Sequence, residues 1–110
     1  MSRTVLIVDD SPTIREKVQN ALEPEDLFDT FIEAEDGMQG YKALFLNDIS
    51  LVICDVLMPG TDGFSFLSLK KSQSQFDTIP VIMLTGKSDT KVLVQSLNSG
   101  ATDYISKPFA

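Results

Sequence analysis

The sequence contains no histidine. A histidine general base is therefore excluded, and so is a zinc site built on imidazole. There is one cysteine, Cys54, so no disulfide can form within the chain. Set in the run Leu51-Val52-Ile53-Cys54, this thiol reads as a small core residue rather than a nucleophile. Basic residues are scarce, 9 against 16 acidic ones, for a net charge of -7. That balance speaks against holding nucleic acid or an anionic membrane by charge. Long apolar runs are missing too. After Met1-Ser2-Arg3-Thr4 come only four strongly apolar residues, too few for a secretory signal or a membrane span. A reducing cytoplasm is the expected setting. The 110 residues, 43% of them apolar and free of repeats, suit one small domain with a core, residues 1–110.

What is present is an alternation. Short apolar runs, Val5-Leu6-Ile7-Val8, Thr30-Phe31-Ile32-Glu33-Ala34, Leu51-Val52-Ile53-Cys54, Val81-Ile82-Met83-Leu84 and Asp103-Tyr104-Ile105-Ser106, have the length and β-branched content of strands. Helix patterns lie between them. Ser11 and Pro12 open the first, with Ile14, Val18, Ala21 and Leu22 on one face and Pro24 closing it. The second follows Glu35-Asp36-Gly37, with Met38, Tyr41, Leu44 and Phe45 expected inward. The third starts near Gly63 and carries Phe64, Phe66, Leu67 and Leu69. The fourth follows Ser88-Asp89, carries Val92, Leu93 and Leu97, and ends near Gly100. Strand-helix repetition predicts an α/β fold, a doubly wound parallel sheet whose ligands sit beyond the carboxyl ends of the strands.

The residue types at those ends are informative. Asp9-Asp10, Glu35-Asp36, Asp55, Thr85 and Lys107 each follow an apolar run. Singly each reads as a turn, a cap or a surface residue. Together they place carboxylates, a hydroxyl and an ammonium along one edge. Two carboxylates ~4 Å apart repel by about 4 kcal/mol at an effective dielectric of 20. Such a group calls for a cation. Oxygen-only donors favour Mg²⁺, with Mn²⁺ as a substitute, over zinc. Beside such an ion Asp55 is placed to accept a phosphoryl group, with Thr85 and Lys107 sharing its charge.

The chain resembles the receiver domain of two-component response regulators. The resemblance rests on VLIVDDSPTIR (5–15), EAEDGMQGYKAL (33–44), LVICDVLMPGTDG (51–63), PVIMLTGKSD (80–89) and GATDYISKPF (100–109). It implies a flavodoxin-like sheet of five strands in order 2-1-3-4-5. It implies Asp55 as phosphoacceptor, Asp10, Asp55 and the Leu57 backbone carbonyl as Mg²⁺ ligands, and Asp9 as a ligand through water. Thr85 would be the switch hydroxyl, Tyr104 its aromatic partner and Lys107 the phosphate-contacting lysine, with Lys107-Pro108 matching a peptide bond typically cis in the family. The implied partners are a sensor histidine kinase or histidine phosphotransfer protein and a downstream output domain or protein. Neither nucleic acid nor membrane is expected to bind this domain directly.

Two departures qualify the resemblance. The family's fifth helix is missing from these residues, which is expected to expose apolar surface and to favour self-association or lower stability. Leu57 and Lys87 flank the path of attacking water and neither can activate it, so a slowly hydrolysed acyl phosphate is expected. Three other readings compete. A phosphohydrolase with an aspartyl nucleophile would carry its second Asp two residues after the first, unlike Asp9-Asp10. A flavodoxin-like cofactor binder would need a phosphate loop that Asp9-Asp10 would repel. A receiver-like interaction module working without phosphorylation differs only in a phosphorylation assay.

Overall fold

The computed structural model describes residues 3–56, 63–85 and 103–106, with Thr85 and residues 103–106 described by backbone alone. Strands β1 (Thr4–Val8), β2 (Thr30–Ala34), β3 (Leu51–Asp55) and β4 (Val81–Thr85) alternate with helices α1 (Pro12–Leu22), α2 (Gly37–Leu46) and α3 (Gly63–Lys71). Single 3₁₀ turns at Glu23–Glu25 and Ser74–Phe76 follow α1 and α3. The fourth helix pattern, residues 88–100, lies outside the described residues.

The strands pair in parallel in the order β2-β1-β3-β4, and Asp103–Ser106 (β5) lies parallel along β4. Val8 stands opposite both Ala34 and Cys54, and Asp55 opposite Leu84. The ends of β1 and β3 are therefore neighbours. The chain turns from β1 to one side for β2 and to the other for β3, the switch point at which ligands bind in such sheets.

Residues alternate between the two faces with the strand period of two. Leu6, Val8, Val52, Cys54, Val81 and Met83 pack under α2 and α3 with Phe66, Leu67, Ala43 and Leu44. Val5, Ile7, Ile53 and Leu84 pack under α1 with Val18, Ile14 and Leu22. Helices on both faces make the sheet doubly wound, as the alternation predicts. Cys54 is wholly buried in the first of these layers, with its Sγ 3.4 Å from the Asp55 carbonyl oxygen.

Local chemistry starts each helix. Ser11 is the N-cap of α1: its Oγ accepts the Ile14 N–H at 3.3 Å, and Pro12 needs no partner at the first position. Asp36 caps α2 by accepting the Gln39 N–H at 2.8 Å, while Gln39 Oε1 accepts the Glu35 N–H at 3.1 Å. The N–H of Gly63, the first residue of α3, donates to the Val56 carbonyl at 2.8 Å, holding the helix against the end of β3.

Three face assignments are corrected. Met38 and Phe45 are 45% and 50% exposed, and the inner face of α2 is Gly37, Gly40, Ala43 and Leu44. The cause is close approach. A Cβ on Gly40 would lie 2.9 Å from Val8 Cγ2 and 3.1 Å from Phe66 Cε1, so the helix sits too near the sheet for a large residue there. Phe45 turns aside and meets the rings of Tyr41 and Phe76 edge-on, at 5.1 and 4.9 Å. Ala21 likewise lies on the exposed side of α1, whereas the Arg15 side chain is largely buried.

Candidate functional site

Three carboxylates meet where β1 and β3 end. Asp9 and Asp10 follow β1, Asp55 closes β3, and their oxygens all lie within 4.8 Å of one another. Asp9 is fully buried, Asp55 is 6% exposed and Asp10 faces solvent. At 4.8 Å and an effective dielectric of 20, each pair of charges repels by about 3.5 kcal/mol. A chain would not gather three such groups here for stability.

The backbone fixes their positions. Asp9 is held at three points: its N–H donates to the Ala34 carbonyl at 3.0 Å, its Oδ1 accepts the Ser11 N–H at 2.9 Å, and its carbonyl accepts from Arg15 Nη1 at 2.6 Å. Asp55 is the last residue of its strand, and the next N–H, of Val56, donates to the Leu84 carbonyl at 3.0 Å. Gly63 packs directly beneath it. A Cβ there would collide with the Asp55 carbonyl oxygen and lie 2.6 Å from Met83 Cε.

Of the residues singled out in the sequence, the structure brings Asp9, Asp10 and Asp55 together. Thr85 ends β4 with its backbone opposite Ser106, and Tyr104 lies opposite Met83; their side chains are outside the described residues. Leu57, Lys87 and the Lys107-Pro108 pair also lie outside them. Glu35 and Asp36 stand at the end of β2 but do not join the cluster, and Asp36 is used as a helix cap.

Arg15 and Glu33 were not singled out, and they touch the site. Arg15 Nε forms an ion pair with Glu33 Oε1 at 2.9 Å while Nη1 holds the Asp9 carbonyl. A signal existed. Arg15 lies three residues before Val18 and seven before Leu22, on the inner side of α1, and Glu33 lies two after Phe31 on the same sheet face.

Comparison with known proteins bears on what this edge does. The family model of the response regulator receiver domain matches residues 5–110. The chain belongs to the receiver domain family. This receiver domain is 39% identical over 105 residues to the transcriptional regulatory protein CseB of Streptomyces avermitilis, covering 96% of the chain and 43% of the relative. It is 36% identical over 115 residues to the phosphate regulon transcriptional regulatory protein PhoB of Escherichia coli K12, covering 100% of the chain and 47% of the relative. The chain thus spans less than half the length of these curated relatives. Among solved structures, chemotaxis protein CheY4 of Vibrio cholerae superposes with a TM-score of 0.90 at 31% identity, over 100% of this chain and 90% of the other. The receiver domain of a signal transduction histidine kinase from Syntrophus aciditrophicus superposes with a TM-score of 0.84 at 40% identity, over 99% and 81%. The receiver fold and a phosphoacceptor signalling role follow from membership. Among the described residues, no helix is long and apolar enough to cross a membrane.

The donor set also suits the divalent ion that receivers use. It is all oxygen, from three carboxylates whose oxygens lie within 4.8 Å of one another, with one group open to solvent. Hard cations such as Mg²⁺ prefer such donors and keep several waters.

Proposed function

We propose that Asp55 is the phosphoacceptor of this receiver domain. The observation that carries the reading is the convergence of Asp9, Asp10 and Asp55 at the β1/β3 switch point of a chain in this family. Asp10, Asp55 and the Leu57 carbonyl would hold Mg²⁺ directly, and Asp9 through water. When bound, the ion neutralises charge on the carboxylates and on the incoming phosphoryl oxygens.

An Asp55 carboxylate oxygen attacks phosphorus as the P–N bond of a phosphohistidine donor breaks. The phosphoryl group becomes bonded to Asp55, and the leaving imidazole takes up a proton from solvent. Thr85 and Lys107 complete the ligation of the phosphoryl oxygens. Thr85 moves toward them, and Tyr104 turns into the space released. This couples the acyl phosphate to the face formed by β4 and β5, which we read as the last two strands of the family's five-stranded sheet. Leu57 and Lys87 leave attacking water without a base, so the acyl phosphate is long-lived and the domain catalyses only its own phosphorylation and slow dephosphorylation. The donor is a sensor histidine kinase or histidine phosphotransfer protein, the recipient an output domain or protein, and the setting the cytoplasm.

The test is intact mass after incubation with acetyl phosphate and Mg²⁺. Wild type gains one phosphoryl group, and Asp55→Ala gains none. Equal labelling of the two proteins would refute the assignment of Asp55. No labelling of wild type would leave an interaction module that works without phosphorylation.

A further inference from the structure

Asp10 supplies the solvent-facing carboxylate of the cluster, so its backbone decides where that carboxylate stands. The Asp9 carbonyl oxygen and the Asp10 N–H and Cα share one rigid peptide plane. Whatever holds the Asp9 carbonyl therefore aims Asp10. That holder is Arg15, whose Nη1 donates to the carbonyl at 2.6 Å from a side chain only 11% exposed. The guanidinium is itself held, by Glu33 Oε1 at 2.9 Å. Glu33 lies on β2 opposite Ile7, and Arg15 sits in the first turns of α1, its own N–H donating to the Ser11 carbonyl at 3.1 Å. The clamp thus ties β2 and α1 to the peptide between the two acidic residues.

We infer that Arg15, braced by Glu33, is a positioning residue for the cation-binding carboxylate of Asp10. The inference rests on the proposed cation site and concerns how this chain builds it. Two roles for Arg15 make opposite predictions. A positive charge near the cluster, acting through its field alone, competes with a bound cation, and its removal would tighten binding. A clamp that aims a ligand has the reverse effect, because loss of a residue that orients a ligand weakens metal affinity about 10–100-fold. Lysine keeps the charge but has no planar fork to engage a carbonyl and a carboxylate together.

Mg²⁺ titration of the metal-free protein, followed by amide resonances in nuclear magnetic resonance, reads both position and affinity. Arg15→Ala should shift the Asp10 amide resonance before any Mg²⁺ is added, leave those of β3 residues Val52 and Ile53 in place, and weaken Mg²⁺ about 10-fold or more. Arg15→Lys should fall nearer to Arg15→Ala than to wild type. Equal or tighter Mg²⁺ binding in Arg15→Ala overturns the inference. Should Arg15→Ala not fold, Arg15→Met keeps the packing of the stem and loses both the fork and the charge; weakening of Mg²⁺ binding by about 10-fold or more supports the clamp, and equal or tighter binding overturns it. Wild type that binds no Mg²⁺ instead overturns the proposed site itself, a separate outcome from a wild type that binds and a variant that binds equally.

Discussion

At the carboxyl edge of the sheet, Asp9, Asp10 and Asp55 bring their oxygens within 4.8 Å of one another. At the amino edge, Asp26, Asp29 and Asp48 stand around an open hollow of about 840 Å³ with Arg3, Phe28, Leu51 and Pro80 among its walls. Both edges are acidic, yet they treat charge differently. The amino-edge carboxylates are exposed, and Asp29 is engaged in accepting the Arg3 N–H at 2.7 Å. At the carboxyl edge two of three are buried, close enough for mutual repulsion to matter. The amino side also buries a cation: Lys70, near the end of α3, is 7% exposed. A spread acidic rim is ordinary surface, whereas a buried cluster stores a cost that a cation or phosphoryl ligand can relieve.

The largest expected effect comes from removing the space under the cluster. Gly63→Ala drives a methyl group into the Asp55 carbonyl and Met83, and should cost about 3 kcal/mol in urea unfolding. A cost below about 1 kcal/mol would show that the β3–α3 junction yields more easily than its packing implies.

Next is a paired neutralisation. Asp55→Asn in the metal-free protein should gain about 1–2 kcal/mol, part of the pairwise repulsion, because solvent screens Asp10. It should also lose the stabilisation by Mg²⁺, which for wild type reaches about 2.7 kcal/mol at one hundred times Kd. Asp29→Asn at the other edge should change stability by less than about 1 kcal/mol and leave the Mg²⁺ response intact. Matching behaviour of the two variants would erase the contrast between the edges.

The smallest effect concerns Lys70. Burial lowers its pKa below the ordinary lysine value of 10.5, and the charge of Asp77 partly offsets this. The unfolded chain therefore holds that proton more tightly than the folded one, and stability rises as pH climbs through the folded pKa toward 10.5. Below the folded pKa the penalty is constant. Lys70→Met should be more stable than wild type at neutral pH, with the gap closing as pH approaches 10.5; thermal melts across that range measure it.

Much of this was legible from pattern. The runs at Val5, Leu51 and Val81 became strands because four or five apolar residues bounded by turn residues can only be buried on both faces. Ser11-Pro12 announced the start of α1, and the Ser11 Oγ caps a backbone N–H as expected. The start of α2 was expected after Glu35-Asp36-Gly37, and it is Asp36 that caps it. The acidic site was visible because the carboxyl ends of strands are marked in the chain by where apolar runs stop. Arg15 and Glu33 were not visible in that way. One belongs to a helix and the other to a strand, and their meeting depends on how α1 lies across the sheet. Met38 and Phe45 misled for a related reason: helical spacing gives a face, and only the distance to the sheet says which residues of it fit.

The order of residue types along the chain thus sufficed for the alternation of strands and helices, for the burial of the central strands and for the presence of carboxylates at their ends. Those properties are local, set by periodicity of two or 3.6 and by the residues that cap each element. The closeness of Asp9, Asp10 and Asp55, the narrow fit at Gly40 and Gly63, and the bridge from Glu33 through Arg15 to the Asp9 carbonyl came from the fold. They join residues far apart in the chain, and their distances depend on strand order and on how closely helices settle against the sheet.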